Sequence, residues 1–211
     1  MRNPMNSWGK SDSLFNETRD FDPDDYPCYF KLGENDCNLM KRLRNAGNDH
    51  AKFMRMINVT VDITAPLYWW KEFDTYKVGT VANSCSTMHK IHDKEFELSD
   101  FSREHLFDNN ALIVPLDSDF RIISNKQWLL FTVDILNGCR KAFLETKDKR
   151  YWWQMIQLLP SSYNQKRTVQ LNYAVLRNMY KSRKNHKLDE WRDLCKWIEE
   201  LPYSEFITGG E

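Results

Sequence analysis

Residues 70–77 read WKEFDTYK, and Cys85 follows after the seven further residues VGTVANS. The first part of this stretch is rich in aromatic and charged side chains, whereas Gly79 and the small residues of 82–87 interrupt any helix that reaches Tyr76. The stretch therefore predicts a helix that ends in a loop of small, polar side chains. The segments on either side of this loop indicate the fold around it.

Before the loop, apolar and polar residues alternate from Met56 to Ile63. The two faces of this alternation are Ile57, Val59, Val61 and Ile63 against Asn58, Thr60 and Asp62. A period of two residues predicts a half-buried strand. Pro66 is suited to the first turn of a helix, which we expect to run through the tryptophans toward Tyr76.

After the loop, helical patterns dominate. Residues 124–127 form a potential capping box, because the Ser124 oxygen and the Gln127 side chain can bind the first free amides of a helix. The helix that begins there is expected to bury one stripe, made of Trp128, Ile135, Leu136, Cys139 and Phe143. Further helices are predicted near 35–47, 148–158, 167–183 and 188–200. The sequence thus predicts an α+β fold, with a few strands early and helices later.

The composition limits the class of protein. The chain has 211 residues, of which 41% are hydrophobic, which is enough for one sizeable core. Residues 1–33 are polar and acidic, so we expect a lead-in segment before a single domain at 34–211. Lys plus Arg and Asp plus Glu number 30 each, so no long-range field favours a nucleic acid or an anionic membrane as partner.

Neither export nor membrane insertion is indicated by the sequence. The first residues lack an apolar run, and no stretch approaches the roughly 18 apolar residues that span a bilayer. The five Cys residues are scattered without a CxxC pair, which argues against a zinc ribbon and a disulfide framework. We therefore expect a cytoplasmic protein with reduced thiols.

The loop resembles the signature of flavin-dependent thymidylate synthase (ThyX), in which Arg-His-Arg is followed by seven residues and a Ser. Three further blocks resemble that family in the same order: Gly47 to His50 before Phe53, the Leu159-Pro160 pair, and the stretch from Asn172 to Arg192. The resemblance implies a ThyX-like fold, with a short antiparallel sheet and a helix-rich C-terminal half. It also implies a homotetramer whose pockets between subunits hold FAD and deoxyuridine monophosphate (dUMP).

The resemblance further implies which residues contact a nucleotide. Thr75, Thr87 and Ala174 stand where the family has arginines, and each lost guanidinium removes roughly 1.5–3 kcal/mol of phosphate binding. The implied nucleotide-binding residues are Thr75, Tyr76, Lys77, Asn83, Cys85, Thr87, Asn172, Asn178, Arg183 and His186. The nearby cations that can substitute for the lost arginines are Lys71, Lys90, Lys166 and Arg167.

These replacements favour a ThyX-fold protein that binds or sequesters a nucleotide-type ligand, without thymidylate synthase activity and without a cofactor. An accessory protein of a phage or a bacterium fits this description. The alternative is an enzyme that retains FAD and methylates dUMP or a related pyrimidine nucleotide, with Cys85 and Arg183 as its catalytic residues. A second alternative is a structural protein whose pocket has closed.

Three patterns have both a functional and a structural interpretation. Cys85 is either a nucleophile or a small side chain that fills the Ser position. Cys85, His89 and His92 are either zinc ligands or solvated residues; because a fourth ligand is absent nearby, no metal site is predicted. The pairs Trp69-Trp70 and Trp152-Trp153 either stack on a ligand ring or pack in the core and in a subunit interface. The structural interpretation is favoured for all three.

Overall fold

The structure, a computed structural model, describes residues 8–17, 28–108, 111–116 and 119–209. The chain divides into two compact units. The first comprises Met1–Val59, Val78–Thr80 and Gln170–Glu211, and the second comprises Thr60–Lys77 and Val81–Val169. Much of the segment 1–33 lies outside the described residues, so its separation from a single domain at 34–211 stays a prediction.

The described part of the chain contains both strands and helices. The strands are β1 (Leu14–Glu17), β2 (Cys28–Lys31), β3 (Asn58–Pro66), β4 (Val81–Ser84), β5 (Ala111–Leu116), β6 (Asp119–Ser124) and β7 (Asn164–Asn172). The α-helices are α1 (Glu34–Asn45), α2 (Leu67–Phe73), α3 (Thr87–Lys90), α4 (Asn125–Thr146), α5 (Lys149–Leu158), α6 (Tyr173–Arg183), α7 (Asp189–Glu199) and α8 (Glu205–Thr208).

The sheets are small. β1 pairs antiparallel with β2, and β5 pairs antiparallel with β6. β3, β7 and β4 form a three-stranded sheet in that order, so the strand before the loop and the strand after α5 are neighbours. The predicted α+β class, with a short sheet and a helix-rich C-terminal half, is confirmed. Within the described ranges, no helix is both long and apolar enough to cross a lipid bilayer.

The core of the first unit lies around its C-terminal helices. Leu176 of α6 and Trp191 of α7 are fully buried. Phe206 of α8 packs edge-on against Phe53, with ring centroids 6.0 Å apart. The buried guanidinium of Arg44 donates from Nε to the backbone oxygen of Phe206 at 2.9 Å, which attaches α8 to the end of α1.

The core of the second unit lies between α4 and α5. Leu129, Val133 and Leu136 of α4 are buried in one cluster with Met155 of α5 and with Phe101. A capping box starts α4, as predicted: the Gln127 amide donates to Ser124 Oγ at 3.2 Å, and the Ser124 amide donates to Gln127 Oε1 at 2.8 Å. This cap fixes where α4 begins.

The predicted buried stripe of α4 is wrong at two positions. The side chains of Trp128 and Ile135 are 62% and 53% exposed. Leu136 is buried as predicted, and Cys139 and Phe143 pack against the same cluster. α4 carries apolar residues on two opposite faces, and helical periodicity alone does not indicate which face meets the core.

The helix predicted at 167–183 is wrong in its first part. β7 extends from Asn164 to Asn172, and α6 begins at Tyr173. Apolar residues alternate with polar ones at the end of β7, where Val169 and Leu171 are buried, and β7 pairs on both edges within its sheet. Leu171 has the spacing of a helix with the apolar residues of α6, but pairing with the two neighbouring strands places it in β7. The helix after Pro66 also ends at Phe73, before Tyr76.

The alternating strand before the loop is confirmed. In β3, Val59, Val61 and Ile63 are half-buried, whereas the polar residues between them are exposed. Asp62 on the exposed face is therefore available to side chains of the neighbouring strand β7.

Candidate functional site

A cavity of about 360 Å³ lies in the second unit, beside the loop that opened the sequence analysis. Its wall is formed by residues 83–87 of the loop, by Lys90 and Ile91 of the following turn, and by 163–166 and Thr168 at the start of β7. The strand order places these segments together, since β4 ends in the loop and β7 is its neighbour in the sheet. The wall is therefore made of two chain segments that lie about 80 residues apart in sequence.

Most residues of this wall carry a hydroxyl or an amide group. Gln165 donates from Nε2 to the hydroxyl oxygen of Thr87 at 2.8 Å. Ser86 caps the short helix α3, where its hydroxyl accepts from the His89 amide at 3.4 Å. Such groups donate and accept hydrogen bonds without a fixed charge, so the wall suits a polar, multifunctional ligand.

Two lysines line the cavity, and each is bound to a carboxylate. Lys90 Nζ lies 2.8 Å from Asp93 Oδ2, and Lys166 Nζ lies 2.8 Å from Asp62 Oδ2. Thr168 also donates its hydroxyl to Asp62, at 2.6 Å. The bond from Lys166, followed by that from Thr168, holds the pKa of Asp62 below its usual range. The bond to Asp93 raises the pKa of Lys90, so the ammonium group of Lys90 stays charged at neutral pH.

Arg167 points to a different surface from that of Lys166. Its Nη1 lies 2.8 Å from Asp74 Oδ1, and its guanidinium carbon lies 4.2 Å from the centre of the Trp70 ring. Its side chain is only 16% exposed. Of the four cations expected to substitute for lost arginines, Lys90 and Lys166 are on the cavity wall, whereas Arg167 is fixed by packing.

Three of the predicted site residues come together at the cavity: Asn83, Cys85 and Thr87. Thr75, Tyr76 and Lys77 are not part of its wall. Thr75 instead donates to the backbone oxygen of Glu72 at 2.7 Å, at the end of α2. The structure thus brings together the second half of the family-like signature and leaves its first half on a separate surface of the same unit.

The remaining predicted residues belong to the first unit. Asn172 is buried and caps α6, where its Oδ1 accepts from the Val175 amide at 3.1 Å. Arg183 lies over the Trp191 ring at 4.7 Å, and the His186 ring packs against the same tryptophan with centroids 6.3 Å apart. Asn178 is exposed. Arg183 and His186 therefore share one aromatic neighbour.

The thiols differ in exposure. Cys85 is exposed at the cavity, whereas Cys195 is buried in the first unit. Burial raises the pKa of the Cys195 thiol to about 11. Among the described residues, no group of three or more His, Cys, Asp or Glu side chains is arranged to hold a metal ion.

Three of the four paired tryptophans, Trp69, Trp70 and Trp152, have structural roles. Trp69 and Trp70 are both 1% exposed and pack with Phe73, with ring centroids 4.9–5.1 Å apart. Both are therefore core residues, rather than one core and one interface residue. Trp152 donates from Nε1 to the backbone oxygen of Met88 at 2.9 Å, which supports the turn after the loop. Trp153 is 49% exposed.

Sequence reasoning missed the contribution of β7 to the cavity. Tyr163, Gln165 and Thr168 line the cavity but were not among the residues expected to bind a ligand, and Thr168 was predicted to lie in a helix. The alternation of Val169 and Leu171 with polar residues was the signal for a strand. A strand at this position presents Gln165 and its neighbours next to β4.

Comparison with solved structures identifies the fold. The chain has the fold of flavin-dependent thymidylate synthase ThyX, which confirms the resemblance predicted from the sequence. Two structures of Helicobacter pylori ThyX with FAD and dUMP each give a TM-score of 0.55 at 19% identity. The first covers 83% of this chain and 84% of the ThyX chain, and the second covers 83% of each.

A methylase has the same fold. The UMP/dUMP methylase PolB from Streptomyces cacaoi, bound with 5-Br dUMP, gives a TM-score of 0.51 at 13% identity and covers 84% of this chain and 81% of the PolB chain. No protein family model matches the sequence, and no curated protein matches it at the sequence level. The shared property is therefore the fold.

Proposed function

We propose that this protein binds a pyrimidine mononucleotide or a similar phosphate-bearing ligand on a ThyX fold, and that it does not catalyse thymidylate synthesis. The observation that carries the proposal is the cavity lined by residues 83–87 and β7, with Lys90 and Lys166 in its wall. Support for the ligand class comes from the solved structures of the same fold, which hold dUMP or 5-Br dUMP.

In the single chain, the cavity has room for a mononucleotide and not for FAD. At about 360 Å³ it lies near the lower end of the range of about 300–1,000 Å³ for small-molecule sites. FAD carries a three-ring isoalloxazine, an adenosine and two phosphates, and so needs a much larger site. Subunits that join around the pocket would enlarge it, as the family resemblance implies.

The charges in the wall also favour weak anion binding. The two ammonium groups of Lys90 and Lys166 face the carboxylates of Asp93 and Asp62. Lysine binds phosphate as a point charge, whereas arginine binds it through two parallel hydrogen bonds. A ligand phosphate must therefore share each lysine with a protein carboxylate, which suits a reversible binder.

A homo-oligomer, with the homotetramer as the expected state, is part of the proposal. Trp128, Phe131 and Ile135 of α4 are 52–62% exposed in the single chain and lie on the side of the helix opposite the buried Leu129, Val133 and Leu136. A helix that is apolar on two opposite faces needs a cover on both. A second copy of this chain supplies that cover.

Thermal unfolding with a ligand panel tests the binding proposal. A nucleotide at 100 times its dissociation constant adds about 2.7 kcal/mol to the free energy of unfolding, so dUMP or UMP should raise the Tm clearly. Lys166→Met should reduce the shift. Lys196→Met is the matched control, because Lys196 is also exposed and paired with an aspartate, at 2.9 Å from Asp193.

The same preparation separates this proposal from the enzyme alternative. A colourless protein that gains stability with dUMP but not with FAD, and that forms no thymidylate from dUMP with methylenetetrahydrofolate and NADPH, agrees with it. A yellow protein that forms thymidylate favours the flavin enzyme. No Tm shift with any nucleotide favours a structural protein and overturns the proposal.

A further inference from the structure

The side-chain amide of Gln165 lies between Arg167 and Thr87. Its Oε1 accepts from Arg167 Nε at 2.8 Å, and its Nε2 donates to Thr87 Oγ1 at 2.8 Å. Gln165 and Thr87 line the cavity, whereas Arg167 lies behind them. The three residues therefore form a hydrogen-bonded row that ends in the cavity at the Thr87 hydroxyl.

The direction of each bond in this row is fixed by chemistry. A guanidinium carries N–H donors and no acceptor, so the oxygen of the Gln165 amide must face Arg167. The NH₂ group then faces Thr87, and because an amide nitrogen only donates, the Thr87 oxygen must accept. The single proton of the Thr87 hydroxyl is left to donate elsewhere. Among the described residues, the Thr87 hydroxyl takes part in one hydrogen bond, which it accepts from Gln165.

Arg167 is held firmly enough to impose this order. Its guanidinium pairs with Asp74 at 2.8 Å and stacks on the ring of the fully buried Trp70. Trp70 in turn donates from Nε1 to the backbone oxygen of Gln165 at 2.9 Å. Rotation of the Gln165 amide by 180° would place its NH₂ group against the donors of Arg167, which is unfavourable.

We infer that Arg167 and Gln165 are positioning residues that fix the Thr87 hydroxyl as a hydrogen-bond donor to the ligand. This inference rests on the proposed function and names the ligand group that the site selects. That group is an acceptor oxygen, either a pyrimidine carbonyl or a phosphate oxygen. A ligand that presents an amino group at this point can use only the second lone pair of the Thr87 oxygen and leaves the hydroxyl proton without an acceptor, so it binds more weakly.

Calorimetric titration with dUMP tests the inference through variants of Thr87. Thr87→Val keeps the shape but removes the donor, and the dissociation constant should rise about tenfold, in the range of one hydrogen bond to a ligand. Thr87→Ser keeps the hydroxyl and should bind like the wild type. Equal affinities of the wild type and Thr87→Val would overturn the inference.

Gln165→Glu tests the positioning role itself. A carboxylate accepts the Thr87 proton and turns the hydroxyl away from the ligand, although Thr87 is unchanged. The loss of affinity should match that of Thr87→Val, and the double variant should lose no more than either single variant. Additive losses would show that the new charge acts by itself, and would overturn the positioning role.

The source of the acceptor oxygen follows from three ligands. If Thr87 donates to a pyrimidine carbonyl, Thr87→Val weakens deoxyuridine and dUMP alike. For the C4 carbonyl, the wild type also discriminates against deoxycytidine monophosphate, whose amino group replaces that carbonyl. If it donates to phosphate, Thr87→Val weakens dUMP but not deoxyuridine. Either pattern supports a donor hydroxyl.

A ligand-free measurement separates this inference from the proposed function. In the free protein, the side-chain ¹⁵N–H resonances of Gln165 should shift in Thr87→Val and stay in place in Thr87→Ser. If the wild type binds no nucleotide, the proposed function fails. The Gln165 resonance still tests whether Gln165 is hydrogen-bonded to Thr87 in the free protein. An unshifted Gln165 resonance in Thr87→Val would overturn the inference even where dUMP binds.

Discussion

The ammonium nitrogen of Lys166 lies 2.8 Å from Oδ2 of Asp62, and the hydroxyl of Thr168 donates to Oδ1 of the same carboxylate at 2.6 Å. Lys166 and Thr168 both line the cavity. The Asp62 carboxylate on β3 thus binds both the ammonium group of Lys166 and the hydroxyl of Thr168, which an anionic ligand would also use. Asp62 therefore competes with the ligand for both groups.

Removal of this competitor is expected to strengthen nucleotide binding. In Asp62→Asn, Lys166 keeps its charge and loses its anionic partner, so the dissociation constant for dUMP should fall a few-fold, as measured by calorimetry. The Tm should change little, because exposed ion pairs contribute weakly to stability. The control is Asp193→Asn, which removes an equivalent exposed partner, that of Lys196, and should leave dUMP binding unchanged. Weaker binding in Asp62→Asn would contradict this view of Asp62.

Gly79 is expected to tolerate no side chain. Its φ is +77°, and a Cβ there would lie 2.7 Å from Asn172 Nδ2 and 3.0 Å from Val175 Cγ2. Gly79→Ala should therefore lower the free energy of unfolding by about 1–3 kcal/mol, measured by urea denaturation. Gly138→Ala is the control: nothing lies within 4 Å of a Cβ on that residue of α4, and alanine should stabilise the helix by about 0.5–1 kcal/mol. Equal effects of the two changes would be inconsistent with the structure.

Of the four thiols whose surroundings the structure describes, Cys85 is expected to react first with a reagent such as DTNB. It is exposed, whereas Cys37 and Cys139 are half-buried and Cys195 is buried. Cys85→Ser should remove the fastest phase of the reaction, and dUMP should slow that phase in the wild type because the thiol lies at the cavity. A fast phase that survives in Cys85→Ser would show that another thiol is more accessible.

Stability is expected to fall at alkaline pH. Burial raises the pKa of Cys195 from 9.0 to about 11, and the hydrogen bond to Glu199 raises the pKa of Tyr180 from 10.0 to about 12. Both groups stay neutral in the folded state at a pH where they ionise in the unfolded chain. Their contribution is therefore complete below about pH 9 and is lost as the pH rises through 11 to 12. Urea denaturation between pH 8 and 11 should show this loss in the free energy of unfolding. In Cys195→Ala, the free energy of unfolding should fall less steeply with pH. An equally steep fall in both proteins would refute the role of Cys195.

The exposed face of α4 is expected to hold subunits together. Phe131→Glu places a charge at the centre of this face and should reduce the mass measured by light scattering after size-exclusion chromatography. Leu130→Glu is the control, since Leu130 is 44% exposed but lies off that face. A wild-type protein that is monomeric at micromolar concentration would contradict the expected oligomer.

Local structure was largely predictable from the sequence. The alternation in β3, the capping box at Ser124 and the helix at Asp189–Glu199 depend on residues within a few positions of each other, and all three are confirmed. The loop after α2 and the order of the family-like blocks also indicated the fold, which the solved ThyX structures share. These features are local or follow from a known order of elements.

The composition of the cavity was decided by tertiary structure. Asp62 and Thr168 lie 106 positions apart, and only the β3–β7 pairing makes them neighbours. Pairing with β3 and β4 made the segment from Asn164 to Asn172 a strand, and its β4 edge brought Gln165 to Thr87. Which face of α4 meets the core was likewise set by packing against Met155. A sequence specifies where side chains can point along one element. Which charges neutralise each other depends on the elements that become neighbours, because hydrogen bonds form only at about 3 Å and exposed charges are screened beyond about 10 Å.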